Sequence, residues 1–375
     1  MTKIGRCWIT AFGLIMTTAA CASSDTPGAG TEVARITRAP TPENEFTPVE
    51  LETTVDNLIA KVNEGTLEPM QMVVLLKNLS AFFASIATGA GRAMSELEVT
   101  GNVLGPTDQS TDATTSQDIQ NQQIRQAVAD GVEGIGVSPY GDINGAAMDE
   151  AVANGVHVVT LDGDVPTSRR SLYVGTLNKP AGAIAAKTLL AMLPPPPGTV
   201  LIHGAAGASW ADGYNRTRGA VEEIVNAGYT PLVSDAVYHA DEAVDIDSMK
   251  SRIEAADPPV IGMVGLFNVS YRCVMGADAA GIPGVPIVAF DFDPKTVEYM
   301  RQGRIKATHI QRQYYQGYLV PYILYGIKTI GLDGTREILA PVMDGDSTVN
   351  TGIDTIPSDK IDVYNDFLDT IGAIQ

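Results

Sequence analysis

From residue 70 onward, short apolar runs alternate with helical stretches, and this alternation restricts the chain to one class of fold. The apolar runs are Met70–Leu76, Leu97–Leu104, Val132–Val137, Val156–Leu161, Thr199–Ile202, Thr230–Val237, Val260–Val264, Pro286–Phe290 and Ile305–Ile310. Most are short, rich in β-branched residues and not strictly alternating, as expected of parallel strands buried on both faces. Helical spacing fills 82–95, 117–130, 144–154, 179–193, 211–227, 242–256, 269–280 and 294–302. Repeated βα units build a doubly wound parallel sheet, with helices on both faces. One small sheet cannot hold them all, and Leu172–Asn178 reads as a crossover between two. The expected fold is α/β, with two doubly wound parallel-sheet lobes joined by a hinge.

The start of the chain reads differently. Lys3 and Arg6 precede an apolar run from Trp8 to Thr18, too short to span a bilayer but of signal-peptide length. Thr18-Ala19-Ala20-Cys21 follows and resembles a bacterial lipobox, with Cys21 as the lipidated residue; Leu is usual where Thr18 stands. Plain secretory cleavage and an uncleaved cytosolic start are the rival readings. With Cys7 and Cys21 set aside, Cys273 is the only thiol remaining, so no internal disulfide is expected. Residues 22–65 read as a flexible tether, rich in Pro, Ser, Thr and Gly in its first part, with a short helix beginning at Val49.

Charge narrows the function classes. Lys and Arg number 25 against 44 Asp and Glu, a net charge of −19, so no basic footprint for nucleic acid is expected. No Gly-Lys-Ser/Thr phosphate loop occurs. Gly131-Val132-Glu133-Gly134-Ile135-Gly136 has the dinucleotide glycine spacing reversed and falls on a strand. His157, His203, His239 and His309 show no metal-ligand spacing, and Asp162-Gly163-Asp164 and Asp291-Phe292-Asp293 do not continue into calcium loops. No metal and no cofactor are expected. Ser209 follows a strand and precedes a helix, so Ser209, Asp291 and His309 can be written as a hydrolase triad, but Ala211 stands where a nucleophile elbow needs Gly.

In open α/β sheets ligands bind beyond the carboxyl ends of the strands. The side chains there form a chemically coherent set: Ser80, Phe82 and Phe83; Asp162; Trp210 and Arg218; Asn268; Asp291; and Gln311. Carboxylates, amides and a guanidinium match hydroxyls that both donate and accept, and aromatic faces match the C–H faces of a ring. A small polyol fits this set.

The stretches Asn78-Leu79-Ser80-Ala81-Phe82-Phe83, Val158-Val159-Thr160-Leu161-Asp162, Arg216-Thr217-Arg218-Gly219, Phe290-Asp291 and Ile305–Gln311 occur in an order and spacing that resemble the periplasmic ribose-binding protein family, the type 1 sugar-binding proteins of ABC importers. The resemblance runs from about 70 to 345. It implies stacking aromatics at Phe82 and Phe83, and hydrogen-bonding residues at Asp162, Arg218, Asn268, Asp291 and Gln311. Ser80 stands where the ribose binder has Asn, Gly163 where it has Arg, and extra residues before Arg216 bring in Trp210; the family's aromatic near 238 falls on Tyr238 or His239. The resemblance implies an extracytoplasmic, non-catalytic monomer. It would hold a monosaccharide between its lobes and dock on an ABC permease, or alternatively on a histidine kinase or chemoreceptor. The expected lobes are 66–176 plus 312–342 and 177–311 plus 343–357, with a C-terminal helix in 358–375.

Overall fold

The computed structural model describes residues 35–79, 82–106, 113–207, 210–236 and 241–373. The signal-like segment, Cys21 and the first part of the tether lie outside them.

The described chain enters through helix α1 (Val49–Val62) and then winds the first lobe: β1 (Gln71–Leu75), α2 (Phe82–Glu96), β2 (Thr100–Leu104), α3 (Ala113–Ala129), β3 (Gly134–Val137), α4 (Gly145–Ala153), β4 (His157–Leu161) and β5 (Leu172–Gly175). It crosses and winds the second: α5 (Asn178–Leu190), β6 (Thr199–Gly204), α6 (Ala211–Asn226), β7 (Thr230–Asp235), α7 (Glu242–Glu254), β8 (Val260–Gly265), α8 (Arg272–Ala279), β9 (Ile287–Phe290), α9 (Pro294–Arg301) and β10 (Ile305–Ile310). The long α10 (Gln313–Leu339), β11 (Met343–Asp344) and β12 (Thr348–Asn350) return to the first lobe, before β13 (Asp354–Pro357) and α11 (Ile361–Thr370).

Strand order is β11-β12-β5-β4-β3-β1-β2 in one sheet and β13-β10-β9-β8-β6-β7 in the other. In each sheet the first two strands exchange places, so each has a topological switch point, at β1/β3 and at β6/β8. The chain passes between sheets three times, after β5, after β10 and after β12.

Period-2 geometry explains the apolar runs. In β1, Met72 and Val74 pack with Tyr318, Val320 and Leu324 of α10, whereas Val73 and Leu75 pack with Ile124 of α3 and Met148 of α4. Both faces are covered, so the strand reads apolar throughout.

Two expectations are corrected. The segment 343–350 belongs to the first sheet, not the second lobe: β12 runs parallel to β5 and pairs Val349 with Val174. The part of the tether from 35 onward is folded structure. Ile36 is buried, its backbone is bonded on both sides by Asn63 at 2.9 Å, and Arg38 reaches Glu52 and Asp56 of α1. Phe46 sets its ring edge-on against Tyr364 of α11, with centroids 5.1 Å apart.

Candidate functional site

Two carboxylates are placed by the same device. Asp162 follows β4 with φ 62° and Asp291 follows β9 with φ 66°. The left-handed region is one that Asp tolerates better than most residues, and it turns the chain at the strand's carboxyl end. Asp162 Oδ2 accepts from Lys77 Nζ at 3.0 Å and from Ser138 Oγ at 2.9 Å. Asp291 is buried and accepts from Gln311 Nε2 at 2.8 Å.

Arg216 joins the second lobe to the crossings. Its Nη2 donates to Gln311 Oε1 and to Asn178 Oδ1, each at 2.7 Å, and its Nη1 donates to the Leu266 carbonyl at 2.9 Å. Its guanidinium lies 4.2 Å from the Phe290 ring centroid. Gln311 therefore accepts from Arg216 and donates to Asp291, and its orientation is fixed by both.

Helix packing decides which arginine enters. A Cβ on Gly219 of α6 would stand 1.9 Å from the Lys179 carbonyl of α5, and one on Gly182 of α5 would stand 1.8 Å from the Arg216 carbonyl. The two backbones touch there, which fixes the rotation of α6. Its buried face is Gly213, Arg216, Thr217, Gly219, Ala220 and Ile224. Arg218, two residues from Arg216, points outward and meets Glu222 at 3.3 Å. Arg218, expected at the strand ends, is therefore absent from the cavity lining among the described residues, and Arg216 stands there instead.

The cavity between the lobes measures about 290 Å³ and is lined by Lys77, Phe82, Phe83, Asp162, Trp210, Asp212, Arg216, Phe267, Asn268, Asp291 and Gln311. That is at the small end of ligand pockets, which run from roughly 300 Å³ upward, and suits a single ring. In its lining Phe82 and Phe83, from the first lobe, meet edge to face at 5.2 Å, and Trp210 and Phe267, from the second, lie tilted at 4.6 Å.

Of the side chains expected from the sequence, Phe82, Phe83, Asp162, Trp210, Asn268, Asp291 and Gln311 come together here, while Ser80, Tyr238 and His239 lie outside the described residues. Lys77, Asp212, Arg216 and Phe267 are additional. Lys77 is the second residue beyond β1 and was legible as a strand-end polar group. Asp212 needed knowledge of where the first turn of α6 points.

Burial shapes the charges. It raises the Asp291 carboxyl from 3.8 to about 6, against the pull of Arg216 and the Gln311 hydrogen bond. Asp212 also rises from 3.8 to about 6, through burial and the nearby Asp162, with Lys77 and Arg216 opposing. Burial lowers the pKa of Arg216, and Asp291 and Asp212 counter it.

The hydrolase arrangement has no geometric support at its base. His309 is fully buried, with Nε2 bonded to Thr188 Oγ1 and Nδ1 to the Ala289 carbonyl, each at 2.9 Å. Ser209 is outside the described residues. Among the described residues no group of three or more metal-ligating side chains occurs.

Comparison with known proteins accords with this architecture. A family model described as "Periplasmic binding protein domain" matches residues 72–348. No curated protein sequence matches. An ABC transporter solute-binding protein from Burkholderia graminis, solved with D-arabinose, is similar at 23% identity and TM-score 0.63, covering 79% of this chain and 97% of that one. AraP, an arabinose-binding protein from Geobacillus stearothermophilus, is similar at 21% and 0.65, covering 79% and 99%. GanP, a glucose-galactose-binding protein from the same organism, is similar at 23% and 0.62, covering 78% and 99%.

Proposed function

The chain belongs to the periplasmic binding protein domain family, and from that premise we propose that it captures a monosaccharide outside the cytoplasmic membrane and delivers it to an ABC importer. The observation that carries this reading is one cavity whose lining is shared by the strand ends of both sheets, with aromatic rings from each lobe and carboxylate, amide and guanidinium groups beside them. A sugar there touches both lobes only when they are together. It therefore stabilises the closed state by the difference in contacts, and the closed state is what a permease reads. The role is non-catalytic: the polar groups hold hydroxyls and attack nothing.

Calorimetry against pentoses, hexoses and inositols tests the reading. Trp210, 37% exposed and in contact with Phe267 at the cavity wall, supplies an optical readout. A binding sugar is expected to change Trp210 emission saturably and to protect it from iodide. Heat of binding without any change at Trp210 would move the ligand elsewhere, and no heat from any member of the panel would overturn the reading.

Anchoring through Cys21 belongs to the same proposal, resting on Thr18-Ala19-Ala20-Cys21 after the apolar run. A diacylglycerol plus an amide-linked chain holds a protein on a bilayer, whereas one acyl chain binds marginally. Cys21→Ser should leave the protein unanchored or unprocessed. Unchanged membrane partitioning, with no palmitate label on the wild type, would rule the anchor out.

A further inference from the structure

We infer that Asp212 makes this cavity select a ligand carrying a protonated amine, so that an amino sugar is preferred over its neutral parent. The inference rests on the monosaccharide reading and names the chemistry of one substituent.

The described lining holds three carboxylates, Asp162, Asp212 and Asp291, against two cations, Lys77 and Arg216. Lys77 is taken up by Asp162 at 3.0 Å. Arg216 is joined to Asp291 through Gln311. Asp212 is left over: its Oδ1 accepts from the neutral amide of Asn178 at 3.1 Å, and no ion pair reaches it among the described residues.

Position then says what would satisfy it. Asp212 comes from the second lobe but faces the first. A Cβ on Gly163, in the turn after Asp162, would stand 3.1 Å from Lys77 Nζ and 3.9 Å from Asp212 Oδ2. That places the Asp212 oxygen against the first lobe's turn after Asp162, on the side of the cavity where Lys77 stands. Trp210 and Asp212 line the same cavity, and the Trp210 ring lies against Gly213, the residue after Asp212. A carboxylate next to an aromatic wall, away from bulk water, is a favourable place for an ammonium, which gains a charge-assisted hydrogen bond together with the pull of the ring face. A hydroxyl supplies the hydrogen bond without the charge. Burial and Asp162 already push the Asp212 carboxyl up to about 6, and a bound cation would relieve that repulsion.

The test compares 2-amino-2-deoxyhexoses, their neutral parents and their N-acetyl derivatives by calorimetry at pH 7.5, on wild type and on Asp212→Asn. The expected result is at least tenfold tighter binding of one amine than of its parent in wild type. In Asp212→Asn, which keeps the shape and an oxygen for the Asn178 hydrogen bond, the ratio of amine to parent affinity should shrink to about threefold or less, whatever the change in absolute affinity. A wild type that prefers neutral or N-acetylated sugars overturns the inference and leaves the monosaccharide reading standing. An amine preference that survives in Asp212→Asn assigns the selectivity elsewhere and also overturns it. If no sugar binds, both fail together. Should Asp212→Asn not fold, Asp212→Ala takes its place and is judged by the same ratio.

Discussion

Asp291→Asn should stabilise the unliganded protein at neutral pH while weakening its hold on the sugar at least ~10-fold. The two effects have one cause. Burial raises the Asp291 carboxyl from 3.8 to about 6 even with Arg216 nearby, so the folded state carries an unfavourable charge. The sign follows from proton counting. A carboxyl whose folded pKa lies above its unfolded value binds more protons in the folded state between about 4 and 6. Its penalty is therefore absent below the unfolded value, grows as the pH rises through this window, and is complete above about 6. At about 1.4 kcal/mol per pKa unit, its removal is worth on the order of 1–3 kcal/mol. Asn retains an oxygen for Gln311 Nε2 and fills the same volume. Binding moves the other way, because a charged hydrogen bond to a hydroxyl contributes about 1.5–3 kcal/mol, or one to two decades in affinity. Thermal melting of both proteins should show the variant ahead at pH 7.5 and the gap closing towards pH 4.5, with calorimetry reporting the lost affinity. A variant that melts earlier at pH 7.5 and binds undiminished would make Asp291 a structural cap.

The strands and helices were legible because burial on both faces writes long apolar runs, and amphipathic helices write a 3.6-residue period. The errors fall where those signals are weak. β11 and β12 are two and three residues long, too short for any period, so the last crossing was placed before them when it follows them. Residues 35–48 have the composition of a linker, and composition averages over the few side chains that matter there, chiefly Arg38 and Phe46. The strand-end rule points to Asp162, Asn268, Asp291 and Gln311, and these line the cavity because a residue just past a strand has little choice of direction. Asp212 and Arg216 sit inside a helix, where direction depends on rotation. Their convergence with Lys77 and Asp162 from the other lobe is a tertiary fact that no local pattern encodes.

Arg216→Ala and Arg218→Ala, two residues apart on one helix, should differ by more than any other neighbouring pair of substitutions at the site. Arg216 is buried and supplies donors to Asn178, Gln311 and the Leu266 carbonyl. Its removal leaves those acceptors without that donor and deprives Asp291 of its nearest counter-charge. Leaving a buried carboxylate and several buried acceptors without their cationic donor costs about 3–5 kcal/mol, whereas Asp291→Asn keeps an oxygen for Gln311 and leaves Arg216 its bonds to Asn178, Gln311 and the Leu266 carbonyl. With Gln311 and Asp291 no longer held, sugar affinity should fall by roughly 100-fold or more, the loss of about two charged hydrogen bonds. Arg216→Lys separates folding from binding: it keeps the charge but has no planar fork to serve Asn178 and Gln311 together, so it should fold and still bind weakly. Arg218 has a side chain 50% exposed, meets Glu222 at 3.3 Å one turn along the helix and lies 6.0 Å from the Tyr214 ring centroid. Exposed pairs of this kind are worth about 0.3–0.5 kcal/mol, and Arg218→Ala should leave affinity unchanged. The comparison needs only melting curves and calorimetry on three variants. If Arg218→Ala loses the sugar while Arg216→Ala keeps it, then α6 is rotated by nearly half a turn from its place here, and the close approaches of Gly182 to the Arg216 carbonyl and of Gly219 to the Lys179 carbonyl that set its rotation do not exist in the working protein.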